Sequence, residues 1–201
     1  MTIAVLTGDI INSRRAEPEV WLDDLKQIFN RFGKQSKDWE IYRGDSFQIS
    51  LPPQMALEVA FLIKAAIKKH KPLDVRISIG LGNIDYKSEK ISESNGSAFV
   101  NSGEQFEKLK KNTLAIKSDH SGFDRKFNIM LNLIMFFADK WSPSTAQVIQ
   151  TSLENKDLKQ SEIARKLNKK SQSQISEILK RGGYEHLVEV LNYYQSELKS
   201  I

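Results

Sequence analysis

The sequence predicts an α+β protein: an antiparallel sheet domain over residues 1–120, then an all-helical segment over 121–201. Three observations predict it. Short apolar runs of strand length alternate with amphipathic helical patterns up to about residue 118. A period of two is plain in Val75 to Leu81, where Val, Ile, Ile and Leu alternate with Arg76, Ser78 and Gly80. After Asp119-His120-Ser121-Gly122 no convincing strand follows, and helical spacing takes over.

Each element has its own signal. Ile3 to Leu6 reads as a buried strand that ends at Gly8-Asp9. From Glu17 to Phe32, Trp21, Leu25, Ile28, Phe29 and Phe32 recur at helical spacing, with Pro18 suited to a first turn and Gly33 to a stop. Trp39 to Tyr42 and Phe47 to Leu51 flank Arg43-Gly44-Asp45-Ser46 as a tight hairpin, and Pro52-Pro53 ends it. Met55 to Lys69 is apolar nearly all round and reads as a buried helix. Past the strand at Val75 to Leu81 come an exposed polar segment from Lys87 to Asn95, a helix from Ala98 to Leu109 and a strand at Thr113 to Ile116. The order βαββαβ, then α and β, matches a ferredoxin-like palm, expected here as an antiparallel sheet with its helices on one face. Beyond the boundary near residue 120, Phe123 to Ala138 forms one long amphipathic helix. Further helices are expected from Ser142-Pro143, over Asp157 to Leu167, Ser171 to Lys180 and Tyr184 to Leu198.

Composition narrows the function. The 201 residues are 40% hydrophobic and 27% charged with only 10 Gly and 5 Pro, an ordinary folded chain rather than a disordered or fibrous one. The absence of Cys removes disulfides, thiolate metal sites and cysteine nucleophiles, and fits a reducing, cytoplasmic setting. MTIAVLTGDII has neither a basic lead nor a small-residue cleavage site, so no signal peptide is expected. The longest nearly apolar stretch, Ile129 to Ala138, is about half the roughly 20 residues a membrane span needs. His70, His120 and His186 lie far apart in the chain, without zinc-ligand spacing, and no Ser stands in a G-x-S-x-G elbow. A formal charge of +5 favours nucleic acid or nucleotide partners, provided the charge is placed to meet them. Trp21, Trp39 and Trp141 fall on apolar stripes and are expected in the core.

Two positions carry chemistry in the first segment. Asp9 follows directly on a strand and Asp45 sits in the hairpin turn, and in a βαββαβ sheet these two places are adjacent. Paired carboxylates at strand ends are the donors a Mg²⁺ ion bridging nucleotide phosphates requires. With equal weight, Asp9 caps its loop and Asp45 fills a turn for which Asp-Ser is common. Gly8 and Gly44, lacking a Cβ, would let backbone and phosphate approach closely. Asn12, Ser13, Arg14 and Arg15 follow the first strand, where N–H groups and guanidinium forks could hold a triphosphate; a solvated basic loop is the alternative. Arg43 could bind phosphate or neutralise Asp45.

The second segment carries a different pattern. Gln160 to Leu167, a four-residue polar turn and Gln172 to Lys180 resemble a helix-turn-helix, with Ile163, Ala164, Leu167, Ile175, Ile178 and Leu179 as the inward stripe. Small Ala164 lets the second helix cross closely. The outward face offers Gln172, Ser173, Gln174, Ser176 and Lys180 to base edges or phosphates, and Lys169 and Lys170 precede it. From Lys156 to Arg181 there are eight Lys and Arg against three Asp and Glu, an excess able to neutralise phosphates. A helical hairpin for protein contact is the alternative.

The segments Thr7-Gly8-Asp9-Ile10, Arg43-Gly44-Asp45-Ser46-Phe47, Val75 to Gly82 and Phe99-Val100-Asn101 together resemble the catalytic palm of class III nucleotidyl cyclases over roughly residues 3 to 118. The resemblance implies metal ligation by Asp9 and Asp45 and substrate contact by Asn101. Gln105 stands where that family has an Arg, and Ile41 near the place of a purine-selecting Lys. Both departures remove charge that would steady a transition state or select a base, so the resemblance implies nucleotide binding more than cyclisation. Through GDIINSRR, YRGDSFQ, DVRISIGLG and ISESNGSAFVNSGEQFEKLKK nearly the whole chain is similar to the SatD family, which implies a palm-like domain joined to a DNA-binding end. The resulting expectation is a homodimeric DNA-binding regulator with a nucleotide- and Mg²⁺-binding sensor. An active nucleotidyl cyclase or nucleotidyltransferase, and a DNA-binding protein whose palm only dimerises, are the alternatives.

Overall fold

A computed structural model describes residues 2–200. The first half runs β1 (Thr2–Ile11), α1 (Pro18–Phe32), β2 (Trp39–Tyr42), β3 (Ser46–Leu51), α2 (Pro53–Lys68), β4 (Asp74–Asn83), α3 (Ser97–Lys108) and β5 (Leu114–Lys117). The second half is helical: α4 (Ser121–Ala138), α5 (Pro143–Glu154), α6 (Gln160–Lys166), α7 (Gln172–Arg181) and α8 (Tyr184–Glu197). Every expected element is present within a few residues. The strands β1 and β4 are longer than their apolar runs, because each pairs along its whole length with the other, Thr2 opposite Asn83 through Ile11 opposite Asp74.

The five strands lie in the order β2-β3-β1-β4-β5. Two features of the expected sheet are corrected. The sheet is mixed rather than antiparallel, since β5 pairs parallel to β4 after the α3 crossover. The helices also cover both faces. One face presents Ala4, Leu6 and Ile10 of β1, Phe47 and Ile49 of β3 and Val75, Ile77 and Ile79 of β4 to α1 and α2, and all are buried. The opposite face carries Ile3 and Val5 against Ala98 of α3. There α3 rests directly on the β4 backbone: a Cβ on Gly80 would lie 2.2 Å from Ala98 O and 2.3 Å from Ser102 N, so only glycine permits this approach. The polar residues that alternate along β4 thus face a helix instead of water.

The main core continues without a break from the sheet into the helical half, taking in Phe127 and Leu131 of α4, Val148 and Ile149 of α5, Ile175 of α7 and Leu187 of α8. Trp21, Trp39 and Trp141 are all buried in it, as expected. Lys64 is the exception in this apolar surround. At 2% exposure, its ammonium donates to Asp74 Oδ1 at 2.8 Å, Asp139 Oδ1 at 2.6 Å and Thr113 Oγ1 at 3.2 Å, tying α2, β4 and the end of α4 together. The segment from Lys87 to Asn95, expected to be exposed, instead buries Ile91, whose N–H donates to Ser36 O at 2.7 Å.

Candidate functional site

Tyr42, Ser46, Asp9 and Arg76 are successive cross-strand partners, forming a row across β2, β3, β1 and β4 at the hairpin end of the sheet. They lie on the α3 face, where the parity of β1 also places Thr7. Behind this row Ser102 Oγ donates to Thr7 Oγ1 at 2.7 Å, Gln48 Nε2 reaches the same oxygen at 3.3 Å, and Ser78 Oγ donates to Ser102 O at 2.7 Å. Asp9 accepts from Arg76 through both oxygens, Oδ1 from Nε at 2.9 Å and Oδ2 from Nη2. The same guanidinium lies 5.4 Å from the ring centre of Phe106 in α3. Hydrogen bonding to Asp9 pushes the Arg76 pKa above its ordinary value despite partial burial. Burial likewise raises the Tyr42 phenol, with Glu40 and Asp9 adding to the rise and Arg43 opposing it.

The fold brings Asp45 to the same end. Its backbone oxygen accepts from Ile10 N at 3.0 Å, one residue beyond Asp9. Its carboxylate, however, accepts from Ser13 Oγ at 2.6 Å and Ser46 Oγ at 3.4 Å. Ser13, not Arg43, is the close partner of Asp45. Asn12, in left-handed backbone at φ 63°, donates through Nδ2 to Pro72 O at 3.1 Å. Arg14, Arg15 and Arg43 are exposed. Arg43 (φ 54°) and Gly44 (φ 89°) make the left-handed hairpin turn, and open space surrounds the missing Cβ of Gly44. Gly8 has another reason: a Cβ there would fall 2.3 Å from Phe47 Cζ, so the position is needed for core packing.

Asn101 stands apart from this cluster. It is buried, and its amide donates to Leu81 O at 2.9 Å and Asp119 Oδ1 at 3.3 Å. Leu81 and Arg76 are five positions apart on β4, about 17 Å at roughly 3.3 Å per strand residue. The expected metal and substrate residues are therefore divided between the two ends of the sheet.

In the helical half, Ile163, Ala164, Ile175, Ile178 and Leu179 are buried, while Lys170, Gln172, Ser173, Ser176 and Lys180 are exposed. Gln174 and Lys169 are half-buried. Ser171 caps α7 by accepting from Gln174 N at 3.3 Å, and Gln172 Nε2 donates to Gln160 Oε1 at 2.8 Å, linking the starts of the two helices. Lys170 N donates to Gln174 Oε1 at 3.1 Å, and Lys169 Nζ reaches Ser144 Oγ at 3.2 Å.

The SatD family model matches residues 2–189, a span that includes the sheet and all of α6 and α7. The chain belongs to the SatD family. Among curated proteins none matches it at a significant level. Among the described residues of this SatD-family chain, no helix is long and apolar enough to cross a membrane.

Arg76 engages both oxygens of Asp9, Ser13 engages Asp45, and among the described residues no group of three or more His, Cys, Asp or Glu is placed to hold a metal. As arranged, the pair does not fit an ion shared between two carboxylates. Arg76 and Lys64 are the charged residues that sequence reading missed. Arg76 passes as the solvent side of an alternating strand. Lys64, inside Ala-Phe-Leu-Ile-Lys-Ala-Ala-Ile, did carry a signal: a lone cation in an apolar run needs buried partners.

Proposed function

We propose that this SatD-family chain is a DNA-binding transcriptional regulator, with α6 and α7 acting as a helix-turn-helix and the sheet domain acting as its sensor. One observation carries the reading: α7 buries an apolar stripe while holding Gln172, Ser173, Ser176 and Lys180 out to solvent, beside exposed Lys170. The excess of Lys and Arg from Lys156 to Arg181 supports phosphate contact on the same surface. The strand order β2-β3-β1-β4 in a βαββαβ chain supports reading the first half as a ferredoxin-like, cyclase-like palm. A nucleotide would meet its exposed cations, Arg14, Arg15 and Arg43, at the hairpin end. Magnesium at Asp9 and Asp45 would first require Arg76 to release Asp9.

Helix-turn-helix readers work as dimers on half-sites about one turn, roughly 34 Å, apart, so a homodimer is part of the proposal. Selection of bound fragments from random DNA tests it. An enriched palindromic sequence is expected; Gln172→Ala should relax preference at one base position by about 1–3 kcal/mol, while Lys170→Ala weakens all sequences and flattens the salt dependence. Recovery of no enriched sequence would falsify the regulator reading.

A further inference from the structure

The end of the sheet opposite the hairpin opens into a cavity of about 650 Å³, within the range of small-molecule sites. It is formed where β1 begins and β3 and β4 end, closed on one side by Pro53 and Gln54 of α2 and on another by Leu198 just after α8. Its apolar wall includes Ile3, Leu51 and Leu81, buried but for an edge, together with Phe32. The half-buried Phe32 and Leu198 supply the apolar surface open to a ligand's ring.

The polar rim defines the ligand. Two carboxylates line the cavity, and they differ in what already holds them. Asp38 accepts from Lys34 N at 3.0 Å through Oδ2, and Lys87 Nζ stands 3.7 Å from its Oδ1. Asp119 accepts only the Asn101 amide, on Oδ1 at 3.3 Å, and among the described residues its Oδ2 has no partner. Asp119 is exposed, so its open acceptor capacity is met by water until a ligand's N–H or O–H donor takes that place at the edge of the slot. The Asn83 amide lines the same rim and can both donate and accept. Lys87, already facing Asp38, is the one Lys or Arg in the described wall, so a phosphate placed here would meet the carboxylates of Asp38 and Asp119 with His120 as the one further basic side chain. At the hairpin end the balance is reversed, with Arg14, Arg15 and Arg43 exposed to solvent.

We infer that this cavity binds an uncharged nitrogen heterocycle of nucleobase or nucleoside size, with its ring against Phe32 and Leu198 and its N–H edge toward Asp119 and Asn83. This site lies away from the metal positions discussed above, meets the expected nucleotide positions only at Asn101, the partner of Asp119, and does not depend on DNA binding.

Calorimetry with adenosine, guanosine, cytidine and uridine, each beside its triphosphate, tests the inference on the full chain. At least one nucleoside should bind, and its triphosphate should bind about tenfold more weakly or not at all. Asp119→Asn, which exchanges an acceptor oxygen for a donor at constant shape, should weaken binding about tenfold or more, and exposed Asn83→Leu should do so without disturbing the fold. Hydrogen exchange should slow on binding at Gln54 and at the turn around Leu198, and not at Arg43 or Asp45. Failure of all four nucleosides, equal binding by folded Asp119→Asn, or a preference for triphosphates that Arg14→Ala abolishes would each overturn it.

Discussion

The hairpin end of the sheet and the end opposite it are built from the same strands, yet their polar groups are in different conditions. At the hairpin end the carboxylates are satisfied from within the chain: Asp9 by Arg76, Asp45 by Ser13 and Asp24 by Lys69 and His70. Arg14, Arg15 and Arg43 are exposed there. At the opposite end a cavity of about 650 Å³ has Asp119 half-engaged at its rim. A row of charged residues at strand ends resembles a site because sites use those residue types, but a bidentate ion pair beside an aromatic ring uses them equally well. The difference shows that residue type identifies chemistry only when its hydrogen-bonding capacity is still open.

The most forceful way to break the comparison is to loosen the frame that holds both ends. Lys64 is buried where β4, α2 and the end of α4 meet, and removing it leaves the Asp139 carboxylate without its cation and Asp74 with Lys68 alone, 3.2 Å away. Lys64→Ala should cost about 2–3 kcal/mol in urea denaturation, below the scale for breaking a fully buried pair because Asp139 is 42% exposed and Lys68 still faces Asp74. Lys64→Met with Asp139→Asn should recover a large share, since packing is retained and one charge is removed. A loss under about 1 kcal/mol for Lys64→Ala would mean that the two halves are held by the apolar core alone.

Arg76→Ala tests the hairpin end directly, with a smaller expected effect of about 1–2 kcal/mol, because the pair retains partial exposure of 35% and 23%. The informative readout is magnesium. If the pair is structural, the variant loses stability and millimolar Mg²⁺ leaves its melting temperature unchanged. If Arg76 instead guards a metal site, the freed carboxylates should bind Mg²⁺ and melting should rise with its concentration.

The sequence made the elements legible because periodicity is local: alternation in β4 and helical stripes in α1, α2 and α4 follow from residues a few positions apart. It also located Asp9 and Asp45 at one sheet end and the outward face of α7. What it left hidden depends on crossovers. The parallel pairing of β5 and the seating of α3 on the second face follow from Gly80 and Gly82 meeting Ala98, Ser97 and Ser102 across the chain. Once α3 lies there, Ser78 turns from solvent-facing to enclosed and Arg76 is partly covered by Phe106 beside its partner Asp9. The cavity joins residues from β1 to Leu198 with no shared motif, so no local pattern announces it.

Acid should separate the two ends by the smallest effect. In the hairpin half of the molecule, Asp24 of α1 sits 2.9 Å from Lys69 Nζ and 2.7 Å from His70 Nε2, just past α2. Burial pushes its pKa upward, but the hydrogen bonds and charges of Lys69 and His70 outweigh burial and hold it below the ordinary value. A depressed carboxylate pKa contributes stability that is present above the unfolded value of about 3.9 and lost as pH falls through the lower folded value. The contribution is below about 1 kcal/mol, because the pair is partly screened by solvent. Stability measured between pH 5 and pH 2 should therefore decline, and Asp24→Asn should flatten part of that decline while lowering the plateau above it. Hydrogen exchange should quicken first where α1 meets the end of α2, before any change at Gln54 or Leu198. If protection at the cavity end is lost first, the ion pairs do not set the acid response, and the contrast between the two ends lies in packing.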